Sequence, residues 1–156
     1  MVDEAKRTRV LEPGATLFRQ GDEADGVYCT QSGLIGLRRI SPTGDSALLR
    51  LCTSGVTVGY RALLSKGAHR NSAEALSPSI VCFIERSHVR RLLETNPQLG
   101  ERFLQQCFCE LDETEADYAK IMTMGLKARF LHLLLIFYER LGYHDEDDNH
   151  VVELPI

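Results

Sequence analysis

The stretch LEPGATLFRQGDEADGVYCTQSGLIGL, residues 11–37, decides the fold. Short β-favouring runs at Thr16-Gln20, Gly26-Thr30 and Leu34-Ile40 alternate with the turn pairs Pro13-Gly14, Gly21-Asp22 and Ser32-Gly33. The pattern extends outward in both directions. Arg7-Leu11 precedes it, and Ser46-Cys52, Ser72-Leu76 and Ile80-Ile84 follow, with further turns at Thr43-Gly44-Asp45 and Ser54-Gly55. Gly21, Gly33, Gly44 and Gly55 recur every 11 or 12 residues, one corner per strand pair, with glycine supplying the positive φ a tight turn requires. Many short strands at even spacing predict an antiparallel sandwich or jelly-roll barrel.

After Ile84 the apolar period changes from two to about three and a half. Ser87 to Leu93 reads as a short helix, and Asn96-Pro97 caps and starts a long one, because proline fits a first helical turn. Leu104, Cys107, Leu111, Thr114, Tyr118 and Ile121 then alternate three and four residues apart, a heptad seam flanked by Glu110, Asp112, Glu113, Glu115 and Asp117. Such a seam either lies on the barrel or pairs with a second copy in a parallel dimer, with the polar Thr114 needing a local reason. The pattern slips near Met124-Gly125, and Leu126, Phe130, Leu133, Leu134, Phe137 and Leu141 form a new apolar face, so a break at Gly125 and a second helix ending at Gly142 are expected. The tail from Tyr143 to His150 reads as an acidic turn-prone loop, and Val151 to Ile156 as the opening of a strand that continues into a further domain. The expected organisation is α+β: a β-roll with a short helix over residues 1–96, a dimerisation helix over 97–124, and a second helix, acidic loop and strand opening over 125–156.

A chain of 156 residues with 44% hydrophobic content can bury one core of sensor-domain size. Its net charge of −4 leaves no basic face for a phosphate backbone, so any contact with DNA is expected only through a further C-terminal domain. The richest apolar run, Phe130 to Tyr138, is interrupted by His132 and falls far short of the roughly 20 residues a bilayer span needs. No signal peptide precedes it, since Met1 to Val10 is charged; a cytoplasmic location is expected. Five cysteines, Cys29, Cys52, Cys82, Cys107 and Cys109, form an odd, scattered set that predicts reduced thiols over a disulfide framework. Cys107 and Cys109, two apart on a helix, point to different faces and make no paired metal site. G-x-S-x-G, H-E-x-x-H and P-loop patterns are absent, and the acidic run Asp145 to Asp148 reads as a solvated turn, so no enzymatic activity is expected.

The opening hairpins quoted above, followed in order by ETNPQLGERFL, GLKARFLHLLLIFYERLG and VVELPI, resemble the sensor half of the Crp/Fnr family of bacterial transcription regulators. The resemblance implies a β-roll pocket opening onto a long helix that pairs two subunits. An effector bound there would reorient winged helix-turn-helix domains beyond a hinge near Met124-Gly125. It also implies a homodimer answering a small-molecule or gas effector.

By this resemblance the effector loop is VGYRALLSKGAHRNSAEAL, residues 58–76. The cyclic-nucleotide-binding members carry a pattern similar to G-E-L…R-S-A, whose carboxylate holds a ribose hydroxyl and whose arginine pairs with the cyclic phosphate. Gly59, Ser72 and Ala73 keep that pattern, whereas Tyr60 stands at the carboxylate and Asn71 at the arginine. Arg70, one residue early, could still reach an anion, since a guanidinium carries a permanent charge on forked donors. Arg61 belongs to the same loop, and Thr114 falls where the long helix of cAMP-responsive members offers a hydroxyl to the base. The G-Y opening and the VCFI strand are closer to the oxygen- and nitric-oxide-responsive branch, in which Cys82 matches an iron–sulfur ligand. Such a cluster needs four thiolates, and the three closely spaced N-terminal cysteines have no counterpart here, so the ligand set is incomplete and Cys82 reads as a strand thiol. A haem held by His69 or His132 is the remaining cofactor option. Cyclic nucleotide, haem or another signal stay open at this point, as does a stand-alone cyclic-nucleotide-binding (cAMP or cGMP) module with no DNA-binding role.

Overall fold

The computed structural model describes residues 6–65, 67–145 and 147–152. The chain splits between Glu94 and Thr95 into two compact units. The first holds β1 (Lys6–Leu11), β2 (Thr16–Phe18), β3 (Gly26–Ser32), β4 (Ile35–Ile40), β5 (Ser46–Cys52), β6 (Thr57–Val58), α1 (Tyr60–Leu64), β7 (Ser72–Ala75) and β8 (Ser79–Glu85), and leads into α2 (Arg86–Thr95). The second holds α3 (Pro97–Thr123), α4 (Leu126–Leu141), β9 (Gly142–His144) and β10 (His150–Val152).

The strands form two four-stranded antiparallel sheets, ordered β1-β8-β3-β6 and β2-β7-β4-β5. Strands at the start of the unit thus pair with strands at its end, as a roll requires. Period-two alternation turns one face of each sheet inward. One core takes Leu11 and Val81 from the first sheet and Phe18, Ile35, Cys52, Ala73 and Ala75 from the second. The turn glycines Gly14, Gly21, Gly33, Gly44 and Gly55 all adopt positive φ. At Gly55 the reason is specific: its N–H donates to the Thr30 carbonyl while the Thr30 N–H donates to the Val56 carbonyl, a bulge whose first position must be left-handed.

The strand runs read from the sequence are present within a residue or two. Two features of the loop differ. Thr57–Val58 is a short strand, and Tyr60–Leu64 is a helical turn whose Tyr60, Ala62 and Leu63 are buried. The stretch Tyr143 to His150, expected as a loop, instead starts and closes a hairpin, with Tyr143 opposite Val151. Its turn is held by Asp145, whose carboxylate accepts from the Asn149 backbone N–H at 2.8 Å and stays below the usual carboxylate range for that reason. The residues after Val152, where the strand opening was expected to continue, lie outside the described residues.

Between α3 and α4, Met124 and Gly125 are both extended, with ψ of 138° and 163°. This is the break expected at Gly125, and Gly142 ends α4 as expected. No described helix is long and apolar enough to cross a membrane.

Candidate effector site

Gly59 caps α1 with φ of 89°, a left-handed conformation that favours glycine. A Cβ there would also sit 3.3 Å from the Gly26 carbonyl oxygen and 3.4 Å from His69 Cε1. The loop therefore closes tightly against itself. His69 is its anchor, only 5% exposed and stacked on Phe18 with ring centroids 3.8 Å apart and planes 13° apart. Its backbone N–H donates to the Asp22 carbonyl and its carbonyl accepts from Gly21, each at 2.8 Å, which fastens the loop to the β2–β3 turn. The ring chain continues from Phe18 to Tyr28 at 5.7 Å and from Tyr28 to Phe83 at 4.9 Å. Burial lowers the imidazole pKa, outweighing the carboxylates of Asp22 and Asp25, so His69 is a neutral packing ring.

Tyr60, at the position of the carboxylate, is 3% exposed. Arg61 and Arg70 are exposed, and the Arg70 guanidinium makes no hydrogen bond or ion pair among the described residues. Asn71, at the position of the arginine, has its side-chain carbonyl oxygen buried without a hydrogen-bond partner among the described residues. Ser72 is used within the roll, its hydroxyl accepting from the Gln20 N–H at 2.9 Å, and Ala73 is fully buried in the core. The structure thus brings Gly59, His69 and Phe18 into contact and leaves both arginines at the surface. An anion entering here would meet a neutral ring and the neutral Asn71 amide. The buried residues of the loop offer a cyclic phosphate no positive charge.

Haem fits no better. His69 is stacked on Phe18, and the His132 Nε2 accepts from the Lys120 ammonium at 3.2 Å, since an ammonium can only donate. Among the described residues no three histidine, cysteine or acidic side chains are grouped to hold a metal ion. Cys82 is buried on β8 directly opposite Cys29 on β3.

Thr114 belongs to the second unit, where its hydroxyl donates to the Glu110 carbonyl one turn earlier at 2.7 Å. This local bond answers the question its place in the seam raised. Leu104, Leu111, Tyr118 and Ile121 are 59%, 52%, 64% and 53% exposed, Cys107 is half-buried, and no residue of α3 is buried.

Sequence reasoning missed the Phe18–His69 stack, whose partners lie 51 residues apart, and the ion pair between Arg38 and Glu74 on neighbouring strands. It also missed an open cleft of about 530 Å³ at the junction of β8 and α2, along Arg7, Phe83, Arg86 and Arg90. There Arg86 donates to the Ala24 carbonyl and pairs with Glu23.

A family model described as the cyclic nucleotide-binding domain matches residues 8–96, more than half of the chain. The chain belongs to the cyclic nucleotide-binding domain family. Within that family it is homologous to the sensor portion of the Crp/Fnr regulators. It is 32% identical over 144 residues to the fumarate and nitrate reduction regulatory protein of Shigella dysenteriae, covering 88% of this chain and 56% of that protein. The chain therefore spans little more than half the length of this curated relative. Among solved structures it is similar in fold to the c-di-GMP-responsive global regulator CLP of Xanthomonas campestris. That match has a TM-score of 0.79 at 16% identity, over 92% of this chain and 73% of that one. It is also similar to the sensor domain of the transcriptional regulator DNR of Pseudomonas aeruginosa, with a TM-score of 0.62 at 23% identity, over 79% and 81%. The domain of this family thus coincides with the first unit and includes Tyr60 and His69.

Proposed function

We propose that the chain is the effector-sensing and dimerisation part of a Crp/Fnr-type transcription regulator, working in the cytoplasm without enzymatic activity. In this reading its effector is not a cyclic nucleotide. A homodimer forms through the α3 seam, and the effector, a small molecule or gas, biases two arrangements of the paired helices that set the geometry of a DNA-binding domain beyond Ile156. Such a switch works only if the effector binds the two arrangements unequally.

The observation that carries the effector reading is the reversal at the phosphate position, with Arg70 exposed and the Asn71 carbonyl oxygen buried and unpaired. Losing the charged partner of a desolvated anion costs a few kcal/mol, and about 1.4 kcal/mol is a tenfold loss of affinity, which moves a micromolar site out of cellular range. An orphaned buried acceptor suits a ligand that brings a hydrogen-bond donor. Titration calorimetry with cAMP and cGMP should give no binding at micromolar concentration. Micromolar binding that disappears in Arg70→Ala would return the chain to the cyclic-nucleotide-responsive regulators.

A further inference from the structure

On β3 and β8, Cys29 and Cys82 are directly opposite in antiparallel register, so their side chains leave the sheet on the same face. That face is not the core face. Val81, the neighbour of Cys82, belongs to the core and Tyr28, the neighbour of Cys29, packs against it, so alternation turns both thiols to the other side. The Thr57 hydroxyl, 3.4 Å from the Cys29 sulfur, fixes that direction. The backbone sets the spacing. Thr30 directs its N–H and C=O toward Val56 and Gly55, so Cys29 directs its own toward β8 and forms a hydrogen-bonded pair with Cys82. In such pairs the Cα atoms lie about 5.5 Å apart, within the window of about 4.4–6.8 Å that a disulfide spans.

We propose that Cys29 and Cys82 form a reversible disulfide when the protein meets a hydroperoxide. Cys29 is half-buried and Cys82 is 3% exposed, so Cys29 reacts first. Its thiolate sulfur attacks the peroxide, the O–O bond breaks, and an alcohol or water leaves as Cys29 becomes a sulfenic acid. The Cys82 sulfur then attacks the Cys29 sulfur, the S–O bond breaks and water leaves; two thiols have lost two electrons to one peroxide. Cβ atoms of opposed residues stand about 4.5–5.5 Å apart and a disulfide brings them to about 3.8 Å, so the bond draws β3 and β8 together and is easily reduced by thiols. Those strands carry Tyr28 and Phe83, two rings of the chain that ends on His69.

The test is peptide mapping of the whole chain after hydrogen peroxide, denaturing alkylation with N-ethylmaleimide and tryptic digestion without reduction. The peptides 20–38 and 71–86 each contain one cysteine. The expected product joins these two and separates again after reduced glutathione, while Cys29→Ser leaves Cys82 fully alkylated. Wild-type protein in which Cys29 proceeds to sulfinic acid beside an alkylated Cys82, or in which either residue bonds only to Cys107 or Cys109, overturns the proposal.

Discussion

The two units solve burial in opposite ways. Among the described residues, all eighteen buried hydrophobic side chains lie between Leu11 and Val89, whereas the 27-residue α3 buries none of its own and presents Leu104, Phe108, Leu111, Tyr118, Ile121 and Met122 at more than half exposure. The first unit carries its own core, and its function can be sought in how that core is cut open or closed. The second carries an apolar stripe flanked by carboxylates, which is the composition of a surface completed by another chain.

Variants that separate core, loop and surface sharpen this contrast. Ile35 is fully buried in the core, and Ile35→Ala should cost about 2–5 kcal/mol, lowering the melting temperature of the first unit by roughly 10 °C or more in calorimetry. The self-association of α3 should persist at temperatures where that unit is still folded. Gly59→Ala places a side chain at φ of 89° and should cost about 1–2 kcal/mol by denaturant titration. An unchanged midpoint would show that the loop can reopen.

His69 gives a pH signature. Its folded pKa is lowered, so the unfolded chain takes up the proton first, near the ordinary value of about 6.5. The stabilisation is complete above that pH and is lost as pH falls through it toward the folded value. His69→Phe keeps the stack on Phe18 and should flatten the decline in stability below about pH 6.5; an equal decline in both proteins would contradict the buried neutral ring. The smallest effect is expected at the surface. Arg38 and Glu74 are each about one-third exposed, and Arg38→Gln should cost less than about 1 kcal/mol.

Much of this was legible in the sequence because it rests on local pattern. Period two, the glycine corners and the three–four spacing of the seam each encode a face or a turn within a few residues. What was not legible depends on distant contacts. A strand of two residues such as Thr57–Val58 has no period to detect, and Tyr60–Leu64 reads as an apolar turn until its burial is known. His69, expected as a ligand-loop residue and a haem candidate, packs on Phe18 from another strand, a pairing that nothing local announces. Arg70 was legible as the residue on which the anion question turns, but not that it faces solvent while Asn71 is partly enclosed. The cross-strand placement of Cys29 and Cys82 likewise follows from register, since the two are 53 residues apart.

In the proposed homodimer a second copy of the chain completes the exposed stripe of α3. Sedimentation velocity of the wild type and Leu111→Glu tests it directly. The wild type should sediment as a dimer and Leu111→Glu as a monomer, because like charges would be buried opposite one another at a cost of several kcal/mol, with the first unit melting unchanged in both. A monomeric wild type, or a dimer that survives Leu111→Glu, would contradict it.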